Sequence, residues 1–201
     1  MIKALTLLLI VLFALSGCAT KQNSVNKEST RAASSDIQSK MVAYVNSIRQ
    51  KGAVCAPPAP PLTYNILLER AAQAHAKDMA LNNKLSHTGS GTATDPAKSA
   101  VGVGSSHIER ILYFGYPNKV GNLLGENITY TKFKSVGSKD YFTNFKQAIK
   151  NLMNDRTHCE IIMNPRFSDI GMGMYKTDDR FYFVMDLGER TKETQSGNFT
   201  H

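Results

Sequence analysis

Near its C-terminal end the chain changes rhythm, and that change limits the folds open to it. Over residues 169–176, Ile170, Met172 and Met174 alternate with glycines, and over 181–187 Phe181, Phe183, Met185 and Leu187 alternate again. Alternation puts apolar side chains on one face of a strand, and Thr177-Asp178-Asp179-Arg180 between the runs reads as a turn. The pair is therefore predicted to be an antiparallel hairpin. Two strands cannot shield an apolar face alone, so the remaining chain must cover it. Three upstream stretches have the helical spacing to do so. Ile37, Met41, Val45 and Ile48 form a stripe that starts at Ser35 or Asp36 and stops at Gly52. Leu68, Ala72, His75 and Met79 form a second within 65–83, and Phe142, Phe145, Ile149 and Leu152 a third within 140–155. A short helix is predicted over 108–114, and a short strand follows Gly125-Glu126-Asn127-Ile128. Helices followed by a hairpin, without βαβ rhythm, predict an α+β fold: an antiparallel sheet with helices covering its faces.

The ends read differently. Lys3 precedes an apolar run over 4–15, too short to span a bilayer and suited to a signal peptide. Leu15-Ser16-Gly17-Cys18 resembles the lipobox of bacterial lipoproteins, which implies a leader over 1–17 and a lipid on Cys18. Acyl chains, at about 0.8 kcal/mol per buried methylene, anchor a protein without a transmembrane helix. Ala19 is not the acidic residue that marks inner-membrane retention, so the outer membrane of a bacterial envelope is favoured. Residues 18–35 contain one large apolar residue, Val25, and are predicted to be a flexible tether. The domain is placed at 36–190, and a polar tail at 191–201.

Lys plus Arg exceed Asp plus Glu by 24 to 16, a net +8, but no basic run or nucleic-acid module is present. The charge reads as a solvated surface with some attraction to membranes, on a monomer without a nucleic-acid partner. With Cys18 acylated, Cys55 and Cys159 are left as a pair in an exported protein, and a disulfide is expected. Closing a loop of about 100 residues would stabilise the fold by about 4–5 kcal/mol.

Four residues carry the candidate chemistry: His87 in Ser86-His87-Thr88-Gly89, Glu126 in Gly125-Glu126-Asn127-Ile128, and Asp155 and His158 at the end of the third helix. They are expected to share one polar site. Three chemistries fit them. His87 and His158 could ligate zinc, with a carboxylate orienting them. A His–carboxylate pair could transfer protons near neutral pH. A buried polar network could simply lock helices to sheet. No His-Glu-x-x-His motif supports a metal locally, and no Gly-x-Ser-x-Gly elbow supports a nucleophile. Gly102-Val103-Gly104 sits in a long loop over 89–106, outside any strand–turn–helix context, so it is not a nucleotide loop. His75 lies on the second helical stripe and reads as a packing residue.

The motifs also occur in a telling order: Asn46-x-x-Arg49-x-x-x-Gly52, Pro61-Leu62-Thr63-Tyr64-Asn65, Ala74-His75-Ala76-x-Asp78-Met79, Ser86-His87-Thr88-Gly89, Glu109-Arg110-Ile111, Gly115-Tyr116, Gly125-Glu126-Asn127-Ile128, His158-Cys159-x-Ile161-Ile162-Met163-Asn164-Pro165 and Phe167-x-x-Ile170-Gly171. Over 37–188 this series resembles the CAP superfamily, or SCP domain, of cysteine-rich secretory, antigen 5 and pathogenesis-related group 1 proteins. Its bacterial branch is the most similar. The resemblance implies an α-β-α sandwich whose central cavity holds two His and two acids, here His87, Glu126, His158 and Asp155. The family usually has Trp three positions before that last acid; Leu152 stands there, and the chain has no Trp. The resemblance implies a binding or interaction module for a lipid, peptide or glycan. The alternative it leaves is a metal-dependent hydrolase using His87, His158 and Glu126.

Overall fold

The computed structural model describes residues 36–100, 102–119 and 121–190. The expected leader, the tether with Cys18 and the tail lie outside the described residues. From Gln38 on, the described residues belong to one compact unit. In chain order it comprises α1 (residues 36–51), β1 (Thr63–Tyr64), α2 (Ile66–Leu81), α3 (His107–Tyr113), β2 (Leu124–Lys132), α4 (Phe133–Val136), α5 (Tyr141–Met153), α6 (Arg156–Met163), β3 (Asp169–Lys176) and β4 (Arg180–Gly188).

The strands lie in the order β1-β3-β4-β2. The expected hairpin is β3–β4, with Lys176 opposite Phe181. β2 adds antiparallel to β4, with Glu126 opposite Asp186. The two-residue β1 joins the other edge parallel to β3, so the sheet is antiparallel apart from that short edge.

Alternation sorts the side chains onto two faces. On one face α2 lies almost in contact with the backbone of β3. A Cβ at Gly171 would stand 2.0 Å from the Glu69 nitrogen, and one at Gly173 would stand 2.3 Å from the Ala72 carbonyl carbon. Ala72, Ala76, Met79 and Ala80 of α2 pack there with Ile128, Tyr182 and Val184. On the other face Phe145 of α5 meets Phe183 edge-on at 5.7 Å. Tyr44 of α1 in turn packs on Phe142 and Phe145. The layers are helix, sheet and helix, so the α-β-α sandwich is present.

Two elements depart from the pattern read in the sequence. Gly125–Ile128 lies within a nine-residue strand rather than ahead of a short one. The helix expected over 140–155 is two helices. Asp140 caps α5 by accepting from the Thr143 N–H, and α5 ends at Met153. Asp155 then accepts from the His158 N–H and starts α6. An aspartate that satisfies a free N–H of a new first turn favours a restart over continuation. His158 therefore stands in the first turn of a separate helix.

That helix is tied at both ends. Cys55 and Cys159 form the expected disulfide, with Cα atoms 6.1 Å apart. Arg49, fully buried, donates through Nε to the Pro60 carbonyl and through Nη1 to the carbonyls of Ile162 and Asn164. A guanidinium on the last carbonyls of a helix also opposes its dipole favourably. The proline-rich segment is thereby pinned against α6.

The glycine seat of α2 gives a direct expectation. Gly173→Ala should lower stability by about 1–3 kcal/mol, because the methyl meets backbone that cannot turn aside. Denaturant unfolding measures it; an unchanged midpoint would mean α2 is not seated on β3.

Candidate functional site

Glu126 sits near the start of β2 with 4% of its surface exposed. Its carboxylate is gripped from two sides. Arg110 of α3, equally buried, donates from Nη2 to Glu126 Oε2 at 2.8 Å. The same nitrogen donates to the His87 carbonyl at 2.8 Å, and Nη1 donates to the Ser105 carbonyl at 2.6 Å. A capping box between Ser106 and Glu109 starts α3 and so sets where Arg110 stands. His87 Nδ1 lies 2.8 Å from Glu126 Oε1, while half of its side chain is exposed. An ionised carboxylate can only accept, so His87 Nδ1 donates to it, and in the neutral ring Nε2 is then the acceptor. This is the arrangement of a carboxylate-oriented imidazole, able to take a proton or bind a cation.

The long loop over 89–106 holds His87 and Arg110 in place through two buried aspartates. Asp95 accepts from the Ser105 N–H at 2.9 Å, the Ser105 hydroxyl at 2.6 Å and the Gly91 N–H at 3.2 Å. Asp78 of α2 accepts from the Ser90 N–H and hydroxyl, from Asn82 and from the Thr94 hydroxyl. A Cβ at Gly89 would stand 2.2 Å from Asp95 Oδ2, so a side chain there would displace the buried Asp95 carboxylate from its partners. The loop is a pinned strap beside His87.

Burial raises the affinity of Glu126 for a proton, but the hydrogen bond from His87 and the Arg110 guanidinium outweigh it and hold Glu126 below the usual carboxylate range. Asp186, directly opposite on β4, behaves the other way. It is fully buried, neither oxygen has a hydrogen-bond partner, and burial and then the Glu126 charge push it well above the usual range. His75 is 1% exposed and its Nε2 lies 2.8 Å from the Ser86 carbonyl. Burial lowers its basicity, as it does for His107 at the start of α3, where Arg110 and His87 add to the effect against Glu126. Inside the site the paired charges are those of Arg110 and Glu126, while burial favours the neutral forms of Asp186 and His75.

Asp155 and His158 make a second pair. His158 Nδ1 lies 2.9 Å from Asp155 Oδ1, which also accepts the His158 N–H. That backbone N–H chiefly holds Asp155 below its usual range. Asn127 Nδ2 donates to the His158 carbonyl at 3.3 Å. Glu126 and Asn127 are neighbours on β2, so their side chains leave opposite faces. The four expected residues thus form two His–carboxylate pairs, joined through the backbone of β2. Among the described residues no three His, Cys, Asp or Glu side chains are grouped to hold a metal ion.

A sequence profile of the cysteine-rich secretory protein family, CAP, matches residues 42–187. The chain belongs to the CAP family. Solved structures agree on the fold. An extracellular SCP-domain protein from Bacillus anthracis superposes with a TM-score of 0.55 at 20% identity, over 76% of this chain and 40% of that one. An outer surface protein from Borrelia burgdorferi superposes with a TM-score of 0.54 at 18% identity, over 76% of this chain and 92% of that one. The match therefore spans about two-fifths of the Bacillus protein. No curated protein matches it.

In this CAP domain the sequence reading found the acceptors but missed what holds them. Arg110 appeared only as part of a motif, though its place in the first turns of a capped helix is a usable signal. Asp186 was hidden among the alternating residues of β4, where a polar position normally faces water. Only the register opposite Glu126 reveals it.

Two outcomes follow from the charges. Arg110→Met should cost about 3–5 kcal/mol by leaving Glu126 buried and unpaired, and Arg110→Met/Glu126→Leu should recover most of that loss in denaturant unfolding. A double variant no more stable than the single one would contradict the pairing. Asp186, with its folded pKa raised, costs the folded state stability as pH climbs above the unfolded value. Asp186→Asn should therefore be more stable than the parent near pH 7, and thermal melts should show the gain shrinking below about pH 4.

Proposed function

We propose that this CAP domain is a binding module of the bacterial envelope, tethered by a lipid on Cys18, that takes an amphiphile with an apolar chain and an anionic head. One observation carries the reading. Between α1 and α5 lies an open groove of about 500 Å³, with Tyr44, Ile48, Val136 and Met153 as apolar lining and Thr143, Gln147, Lys146 and Lys150 as polar lining. Apolar lining with a few placed cations is what such a ligand needs. The anchor rests on the lipobox resemblance, and no helix among the described residues is long and apolar enough to cross a membrane. The likeness to an outer surface protein from Borrelia burgdorferi supports placement at the outer membrane.

A second reading has its own observation, the half-exposed His87 oriented by Glu126. It would act as a general base in a hydrolase, with zinc shared by His87 and His158 as its metal-dependent form. The first reading is favoured because the groove offers apolar lining and cations together.

Fluorescence of cis-parinaric acid, added to the purified chain, separates the two readings. Saturable binding should weaken at least tenfold in Lys146→Glu/Lys150→Glu and stay unchanged in His87→Ala/His158→Ala. Equal binding by the lysine variant would overturn the groove. Stoichiometric zinc in the parent, absent from the histidine variant, would favour the second reading.

A further inference from the structure

The end of the sheet farthest from Glu126 collects positive charge on aromatic rings. Lys132 Nζ and Arg180 Cζ stand 5.9 and 5.1 Å from the centre of the Tyr130 ring. Lys139 and Lys176 stand 5.9 and 5.7 Å from that of Phe133. Lys134 follows on α4, and all four lysines are exposed. The carboxylates here are Asp140, Asp178 and Asp179. Asp140 is engaged in capping α5, and Asp179 is paired with Arg180. None of the four lysines has a carboxylate within ion-pair distance among the described residues. Two cations on one ring are held roughly within a Debye length of each other, a repulsion that an anionic surface would relieve. Tyr141, packed on Phe181 at 4.5 Å and 45% exposed, adds an amphipathic ring at the edge.

We infer that this end, the turn of the β3–β4 hairpin with α4 and the start of α5, is the face that the domain lays on an anionic lipid bilayer. Lysines whose stems lie along rings, with tyrosines that have an apolar body and a polar tip, suit the headgroup layer. A single-stranded polyanion would need a track of cations beside open rings for bases to stack on; here the rings are already covered and the cations form a compact cap. The consequence is orientation. Glu126 and Lys132 are ends of one strand segment about 20 Å long, so the His87–Glu126 site would be held clear of the membrane. The inference does not depend on what the α1/α5 groove binds.

The chain has no Trp, so one introduced tryptophan reports alone. Full-length Tyr141→Trp and Tyr113→Trp would be mixed with vesicles of phosphatidylcholine, with and without phosphatidylglycerol, carrying brominated acyl chains. Carrying the lipid proposed above on Cys18, the chain would sit on either vesicle, so quenching reads which face meets the bilayer. Tyr141→Trp should blue-shift and be quenched only with phosphatidylglycerol, and the effect should vanish in Lys132→Glu/Lys134→Glu or at high salt. Tyr113→Trp, 59% exposed on α3, should not be quenched. Quenching at 113 in place of 141, equal quenching without phosphatidylglycerol, or a response to single-stranded DNA but not to vesicles would overturn the inference.

Discussion

A guanidinium and a carboxylate, both nearly out of water, meet at 2.8 Å between α3 and β2. Burying either alone would cost several kcal/mol, so the pair forms together or the fold suffers. Arg110 reaches Glu126 while holding the carbonyls of His87 and Ser105, so one side chain fastens helix, loop and strand at one point. Glu126, kept ionised, then has one oxygen for His87. The orientation of the exposed imidazole is thus an indirect result of a charge that is itself hidden.

The scaffold around this point is stiff for separate reasons. α2 can lie on β3 only because Gly171 and Gly173 leave room for its backbone. On the opposite face α6 is held by a disulfide and by Arg49. The two aspartates that strap the 89–106 loop turn a glycine- and serine-rich segment into part of the site. The α1/α5 groove and the His87–Glu126 pair thus occupy different parts of one scaffold, so the binding proposed for the first does not draw on the second.

The layers were legible because they rest on periodicity. Stripes at helical spacing and alternation over 169–187 report burial directly, and the hairpin and three long helices follow. The disulfide followed from counting cysteines. What periodicity cannot see is polar burial. The break at Asn154 is set by one carboxylate accepting one N–H, not by any change in apolar spacing. The Glu126–Asp186 pair exists only through strand register. His87, Glu126, Asp155 and His158 were recognisable as residues, but their division into two pairs depends on side chains leaving opposite faces of β2.

The His87–Glu126 site and the basic cap lie toward opposite ends of the same sheet, so the membrane contact inferred for the cap would leave that site clear of it. All of this rests on Glu126 staying charged inside the protein. The most direct measurement follows the carbon-13 shifts of the Glu126 and Asp186 carboxyls by NMR from about pH 2 to pH 9. The account requires Glu126 to titrate below the ordinary glutamate range and Asp186 well above that of aspartate. A Glu126 that takes up its proton at or above its ordinary value would contradict it.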